Sequence, residues 1–346
     1  MIPKKLRKGD HIRVIAPSNS ILPKKLPPEI IERGVRRLND LGFTVSFGRH
    51  IREVDEFKST SIEHRLEDLH EAFSDKTVDG ILAVSGGSSS NQLLRYIDFN
   101  LIKANPKIIC GLSDITALVN AIYIKTGMLT YYGPHFSAIA ASADVDYTFD
   151  YFAKSLMEER AIRLVPSEKF YNTAWSEEPI ENTGHWVINE GQAEGIILGG
   201  NFLTFNFLQG TEYTVRREVE SPLIYILEDN GPESVNDVQN QLQALILQPN
   251  FKNVRGIIIG RFREESGMSR DLLTKIIKTK RELDAMPIIA NVDFGHTVPI
   301  VTIPIGGYMK VDATGQQATI EFCEKVDQLA DREKQAADDF RQRERG

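Results

Sequence analysis

An α/β protein of two units is predicted by two features of the chain. Strand-sized apolar runs alternate with helix-period segments as far as residue 135, and a second set of the same kind follows a break. The length of 346 residues agrees with two units, because single cores rarely grow past about 250–300 residues. Strands alternating with helices give a parallel sheet covered on both faces, and sites in such sheets form beyond the carboxyl ends of the strands.

Residues 11–16 read as the first strand, and Pro17-Ser18-Asn19-Ser20 as the loop at its end. Ile30, Ile31, Val35 and Leu38 stand at helical spacing within 28–41, and Gly42 stops that helix before a strand at 43–47. Ile62, Leu66, Leu69 and Phe73 share one face of a second helix. A buried strand at 81–84 ends in Ser85-Gly86-Gly87-Ser88-Ser89-Ser90-Asn91, and a helix follows. The apolar run 107–110 is too short for a helix and suits a buried strand, while Ile115, Leu118, Val119 and Ile122 open a helix near Asp114. Ser113 therefore falls on a sharp strand-to-helix turn. One more helix is expected over about 145–156.

The segment 160–192 changes character. It holds Trp175, Trp186 and the pair Glu177-Glu178, has few apolar runs, and reads as a linker with a long ordered loop of the kind used as a lid or binding loop. Beyond it, 193–198 is a strand, Gly199-Gly200-Asn201 a turn and 202–208 a short helix. The strand 222–227 runs into Glu228-Asp229, and 235–247 is a helix. Strands at 254–259 and 287–292 enclose a helix at 269–283, and 319–322 closes the sheet. The expected division is a nucleophile-bearing unit at 1–160, a linker and substrate loop at 161–192, a second α/β unit at 193–330 and a charged tail at 331–346.

Composition narrows the function. The net charge is −7 and the pI about 5.6, with no long basic stripe, so nucleic acid is not an expected partner. The two cysteines, Cys110 and Cys323, lie far apart and do not suggest a disulfide framework, which favours a reducing compartment. The first residues carry positive charge without an apolar core of a signal peptide, and no stretch approaches the ~20 apolar residues of a membrane span. A cytoplasmic protein without membrane association is expected.

At the Ser113 turn a hydroxyl is pushed out at the sheet edge beside helix N-terminal N–H groups, where an oxyanion could be held. The competing role is a helix N-cap, since Ser followed by Asp commonly opens a helix. A nucleophile needs a base and a group that orients the base. Of the seven histidines, His135 and His296 stand in turns just past apolar runs. His296 is the better base, because it follows a buried strand and Gly295. Glu228 ends a strongly apolar strand, an odd place for a carboxylate without a partner. The order Ser…Glu…His also occurs in α/β-hydrolases, but Gly-Leu-Ser-Asp-Ile lacks the second glycine of their motif. Gly86-Gly87 could supply an oxyanion N–H, or hold a phosphate, although no complete phosphate-loop motif is present. No Cys/His cluster has metal-ligand spacing, so neither metal nor cofactor is expected. A non-catalytic protein holding a small anion on its glycine loops remains the alternative class. An amidotransferase-like hydrolase would want a cysteine at the turn, and Cys110 is three residues early.

In order along the chain, Ile15-Ala16-Pro17-Ser18, Asp79-Gly80-Ile81, Ser85-Gly86-Gly87, Gly111-Leu112-Ser113-Asp114-Ile115-Thr116, Gly199-Gly200-Asn201, Glu228-Asp229 and Phe294-Gly295-His296 form a set. With these motifs the chain resembles the LD-carboxypeptidase family of serine peptidases, which includes the microcin C self-immunity carboxypeptidases. The resemblance implies a Rossmann-like N-terminal domain with a smaller C-terminal α/β domain, and a homodimer. It implies a metal-free Ser113–Glu228–His296 triad with an oxyanion hole at the N–H groups of Gly87 and Asp114. Because the three residues come from different units, the site is expected at their junction. Gly86, Asn201 and Trp175 are expected at the substrate, and an aromatic of the loop, Trp175 or Trp186, could stack on a nucleobase. The substrate is either a murein tetrapeptide cut at its terminal D-alanine or an aminoacyl nucleotide cut at its amide. The tryptophan-bearing loop tilts the reading toward the second.

Overall fold

A computed structural model describes residues 1–20, 26–214, 221–230, 235–315, 318–325 and 327–328. The expected charged tail, 331–346, lies outside the described residues. Two sheets organise the chain. The first has the order Ile303–Ile305, Thr130–Tyr132, Ile108–Gly111, Gly80–Ala83, His11–Ile15, Thr44–Phe47. Its five strands from the first half are parallel, as the uninterrupted apolar runs require of strands buried on both faces. The order reverses between His11–Ile15 and Gly80–Ala83, so the loops that leave these two strands diverge and open a crevice. The sixth strand, Ile303–Ile305, comes from the far end of the chain and pairs antiparallel with Thr130–Tyr132.

The second sheet has eight strands in the order Ile162–Leu164, Thr319–Cys323, Tyr308–Asp312, Gln192–Asn201, Leu223–Glu228, Val254–Gly260, Ile288–Val292, Trp186–Asn189. The four from Gln192–Asn201 to Ile288–Val292 are parallel, and the outer ones run antiparallel. It has more strands than the first sheet. Two of its edges come from the segment expected as a linker: 161–192 contributes Ile162–Leu164 and Trp186–Asn189, with a separate small hairpin of Lys169–Phe170 and Ile180–Glu181 between them.

The helix Thr116–Thr126 is sandwiched between the sheets. It is buried on nearly every face, the pattern of a helix with apolar neighbours all round. Asn120 ties it across: its amide donates to Gly199 O at 2.8 Å, and Gly199 N donates back to its Oδ1 at 3.1 Å. Gly199 and Gly200 were expected in a turn, yet they lie inside the strand Gln192–Asn201. A Cβ on Gly200 would stand 2.5 Å from Thr116 Oγ1 and 2.8 Å from Tyr132, so the bare backbone is what lets helix and strand approach. A single apolar cluster consequently runs from Ile81, Ile109 and Leu118 through Leu198 and Phe202 to Ile226 and Ile258. A second cluster covers the other face of the first sheet under the helix Pro28–Asp40. Among the described residues no helix is long and apolar enough to cross a membrane.

Candidate active site

The strand Ile108–Gly111 ends one residue before Leu112, and the chain then turns through the short 3-10 segment Ser113–Ile115 into the helix Thr116–Thr126. At Ser113 φ is +61°, a left-handed conformation that costs a residue with a Cβ about 1–2 kcal/mol. Neighbouring polar groups hold it there. Thr116 Oγ1 donates to Ser113 O at 2.6 Å, and Ser113 N donates to the Tyr132 hydroxyl at 2.9 Å. The strained turn aims the side chain away from the sheet. Ser113 Oγ lies 3.0 Å from His296 Nε2, and His296 Nδ1 lies 2.6 Å from Glu228 Oε2. With Nδ1–H donated to the carboxylate, Nε2 offers its lone pair to the serine hydroxyl.

Glu228 is fully buried at the end of Leu223–Glu228. Burial is the largest influence on it and opposes its charge. Against burial act the His296 charge and hydrogen bond and the hydrogen bonds of Tyr132 and Asn201, and together they hold the carboxyl below its ordinary pKa. Tyr132 donates to Glu228 Oε1 at 2.7 Å and thereby links the Ser113 backbone to the Glu228 carboxylate. Burial first, and Glu228 next, keep this phenol protonated. Gly295, at φ +106°, lets the His296 loop close, since a Cβ there would stand 2.7 Å from Glu228 Oε2. Behind His296 the buried Arg261 donates to Asp293 at 2.7 Å and to Asn291 at 3.1 Å, and Ser167 donates to Asp293 through N and Oγ.

The loops 17–20, 86–91 and 111–114 meet, as their strand-end positions suggest. Their clamp is the buried Asp114 carboxylate, which accepts from Ser18 Oγ at 2.5 Å, Ser89 N at 2.9 Å and Ser90 N at 2.8 Å. Arg65, buried on the helix Ile62–Ser74, adds bonds to Ser89 O and Oγ at 3.0 Å each. Gly86 runs directly against Ser113: a Cβ on it would stand 2.7 Å from Ser113 Cβ and 2.9 Å from Oγ. Gly87 packs on Ser18 and Asn19. His135, the other turn histidine, sits 2.8 Å through Nε2 from Leu112 O, and burial pushes its pKa down to about 4, so it is neutral.

The remaining expected site residues lie differently. Asn201 is buried, its backbone N donating to Thr116 Oγ1 and its Oδ1 capping the helix Phe202–Leu208 through Thr204 N. Its side chain also hydrogen-bonds Glu228. Trp175 is 55% exposed. Its loop is pinned by Tyr171, which exchanges backbone hydrogen bonds of 2.6 and 2.9 Å with Val298, two residues past His296. Asn172 joins the same loop to Glu264 N and Glu265 at 2.9 and 2.8 Å. Trp186 is half-buried in an edge strand, its indole N–H donating to Thr183 Oγ1. Tyr132, Arg65 and the Asp114 carboxylate were missed in the sequence.

Among the described residues, His50, Glu53 and His64 are close enough together to be considered for a metal. The two imidazole rings stack 3.9 Å apart at 16°. Each turns its Nδ1 to one oxygen of Glu53, at 2.7 and 2.6 Å.

Profiles of two domains match the chain: the LD-carboxypeptidase N-terminal domain over residues 12–133 and the LD-carboxypeptidase C-terminal domain over residues 194–311. The Escherichia coli microcin C7 self-immunity protein MccF is 30% identical over 83% of this chain and 87% of its own. The murein tetrapeptide carboxypeptidase of Pseudomonas aeruginosa is 25% identical over 73% of this chain and 77% of its own. Among solved structures, an MccF-like protein of Bacillus anthracis superposes with a TM-score of 0.90 at 42% identity, covering 94% of this chain and all of its own. MccF in complex with glutamyl sulfamoyl guanosine superposes with a TM-score of 0.83 at 27% identity, covering 93% and 98%.

Proposed function

The chain belongs to the LD-carboxypeptidase family and is a serine-type carboxypeptidase, and on that premise we propose that Ser113 is its nucleophile, His296 its base and Glu228 the group that orients the base. Ser113 Oγ attacks the scissile carbonyl as His296 Nε2 takes its proton. Glu228 keeps Nδ1–H in place and stabilises the imidazolium. The N–H groups of Gly87 and Asp114 receive the oxyanion, each donor worth about 3 kcal/mol in the transition state. His296 passes its proton to the leaving nitrogen as the C–N bond breaks. It then takes a proton from the water that attacks the acyl ester, and returns it to Ser113 as that bond opens. The observation that carries this reading is the unbroken chain from Ser113 Oγ to His296 at 3.0 Å and on to Glu228 at 2.6 Å. Ser113→Ala lowers kcat on the order of 10⁴-fold or more with the fold intact; wild-type turnover in that variant overturns the assignment.

The bond cut is the amide between an aminoacyl group and a modified nucleotide, the microcin immunity type. The exposed indole of Trp175 supports this, on a loop pinned two residues past His296, where a flat nucleobase can stack. The match to MccF in complex with an aminoacyl sulfamoyl nucleoside points the same way. Incubation with aspartyl sulfamoyl adenosine and, separately, a murein tetrapeptide tests it. Release of free aspartate, with KM raised in Trp175→Ala, is expected. Release of D-alanine alone assigns the enzyme to peptidoglycan trimming.

A further inference from the structure

The described residues place one more charged group beside the triad. Arg263 follows the strand Val254–Gly260 and is half-buried. Its Nε donates to the His296 carbonyl at 3.3 Å. Two other buried arginines hold protein groups: Arg65 bonds Pro17, Ser89 and Gln92, and Arg261 bonds Asn291 and Asp293. Arg263 forms no ion pair among the described residues, although Glu265, Glu228 and Asp229 are near enough to act on its charge. It is thus a cation held at the active site with its terminal nitrogens left over.

Its position has a chemical meaning. In a serine triad the imidazole donates to the leaving nitrogen, so the leaving group lies on the imidazole side of the nucleophile. Arg263 is fixed to the backbone of that same histidine. Next to it, Asn172 joins Glu264 and Glu265 to the Trp175 loop, so the guanidinium and the exposed indole border the same side. Both candidate substrates carry negative charge within three bonds of the scissile nitrogen: a terminal carboxylate in the peptide, and an acylated sulfamate or phosphoramidate in the aminoacyl nucleotide. With the carboxylates of Glu228 and Asp229 nearby, such an anion needs a cation to enter. A guanidinium offers paired N–H donors to either oxyanion. We propose that Arg263 is the specificity residue that binds the anion of the leaving group, whichever of the two chemistries supplies it. The inference rests on the serine carboxypeptidase reading and adds the feature of the substrate that the site selects.

The test compares matched charged and neutral substrates. One pair is a tetrapeptide and its C-terminal amide. The other is an aminoacyl sulfamoyl adenosine and the corresponding neutral aminoacyl amide of 5′-amino-5′-deoxyadenosine. On the charged member that wild type accepts, Arg263→Ala should lose about 100-fold in kcat/KM, mostly through KM, as for a lost charge-assisted hydrogen bond. The neutral member should change less than about threefold, and Arg263→Lys should recover part of the loss. Equal losses on charged and neutral substrates would show a support role for His296 and overturn the proposal, as would no loss on either. Labelling of Ser113 by a neutral fluorophosphonate keeps the parent reading separate. A labelled wild type with unchanged charge preference in Arg263→Ala defeats this inference alone. A wild type that is neither labelled nor active defeats both.

Discussion

Gly86 shows how little room the Ser113 side chain has. A methyl group there would overlap Ser113 Cβ at 2.7 Å and push the hydroxyl off its line to His296. Misplacement by about 1 Å costs on the order of 10²-fold, so Gly86→Ala should lower kcat by about that factor with little change in thermal stability. Steady-state kinetics beside a melting curve decide it, and an active Gly86→Ala enzyme would mean the 86–87 loop does not border the reacting atoms. The three polar residues that meet here were readable because each breaks an apolar context: Ser113 at a strand-to-helix turn, Glu228 at the end of a buried strand, His296 after Gly295. Tyr132 was not readable, because a phenol at the end of a buried strand looks like core until its hydroxyl is seen between Ser113 N and Glu228. Asn201 was named for the substrate, and the structure shows its Oδ1 capping the helix Phe202–Leu208. A helix cap and a substrate contact have the same sequence signature.

Most elements follow from hydrophobic period, and the exceptions have physical causes. The strand Ile303–Ile305 has Pro304 at its centre and Gly306-Gly307 after it, a pattern that reads as a turn; Pro304 is tolerated because the strand is at the sheet's edge. Gly199-Gly200 reads as a turn because the glycines serve an approach between elements that are distant in sequence. The segment between the strand Thr44–Phe47 and the helix Ile62–Ser74 carries a titration signature. The hydrogen bond from His50 first, then those from Thr60 and His64, lower Glu53 from 4.5 to about 2, while the Glu53 hydrogen bond raises His50 above 6.5 against the effect of burial. A depressed carboxylate stabilises the fold above pH 4.5 and loses that contribution as pH falls toward 2. A raised imidazole stabilises below 6.5 and loses its contribution as pH rises through its folded value. The melting-temperature deficit of Glu53→Gln should therefore be largest between pH 4.5 and 6.5 and shrink on both sides. A deficit that is flat with pH would contradict the hydrogen-bond account.

At the scale of the molecule, the two sheets share one apolar cluster, and the first is completed by the strand Ile303–Ile305, distant in sequence from its partner. Two α/β units were legible in the sequence, but not this interlock, because it depends on pairing between residues 130 and 305. The whole should unfold in one calorimetric transition with matching calorimetric and van't Hoff enthalpies; two resolved transitions would show that the units are independent. The same interlock brings a serine from one sheet to a histidine and a glutamate from the other. Whether that convergence makes an alcohol reactive is measured most directly by intact-mass and peptide-level analysis after exposure to a fluorophosphonate. One adduct per chain on Ser113 is predicted, absent in Ser113→Ala and formed at least ~100-fold more slowly in His296→Ala. A wild-type chain that stays unmodified, or carries the adduct elsewhere, would contradict the account.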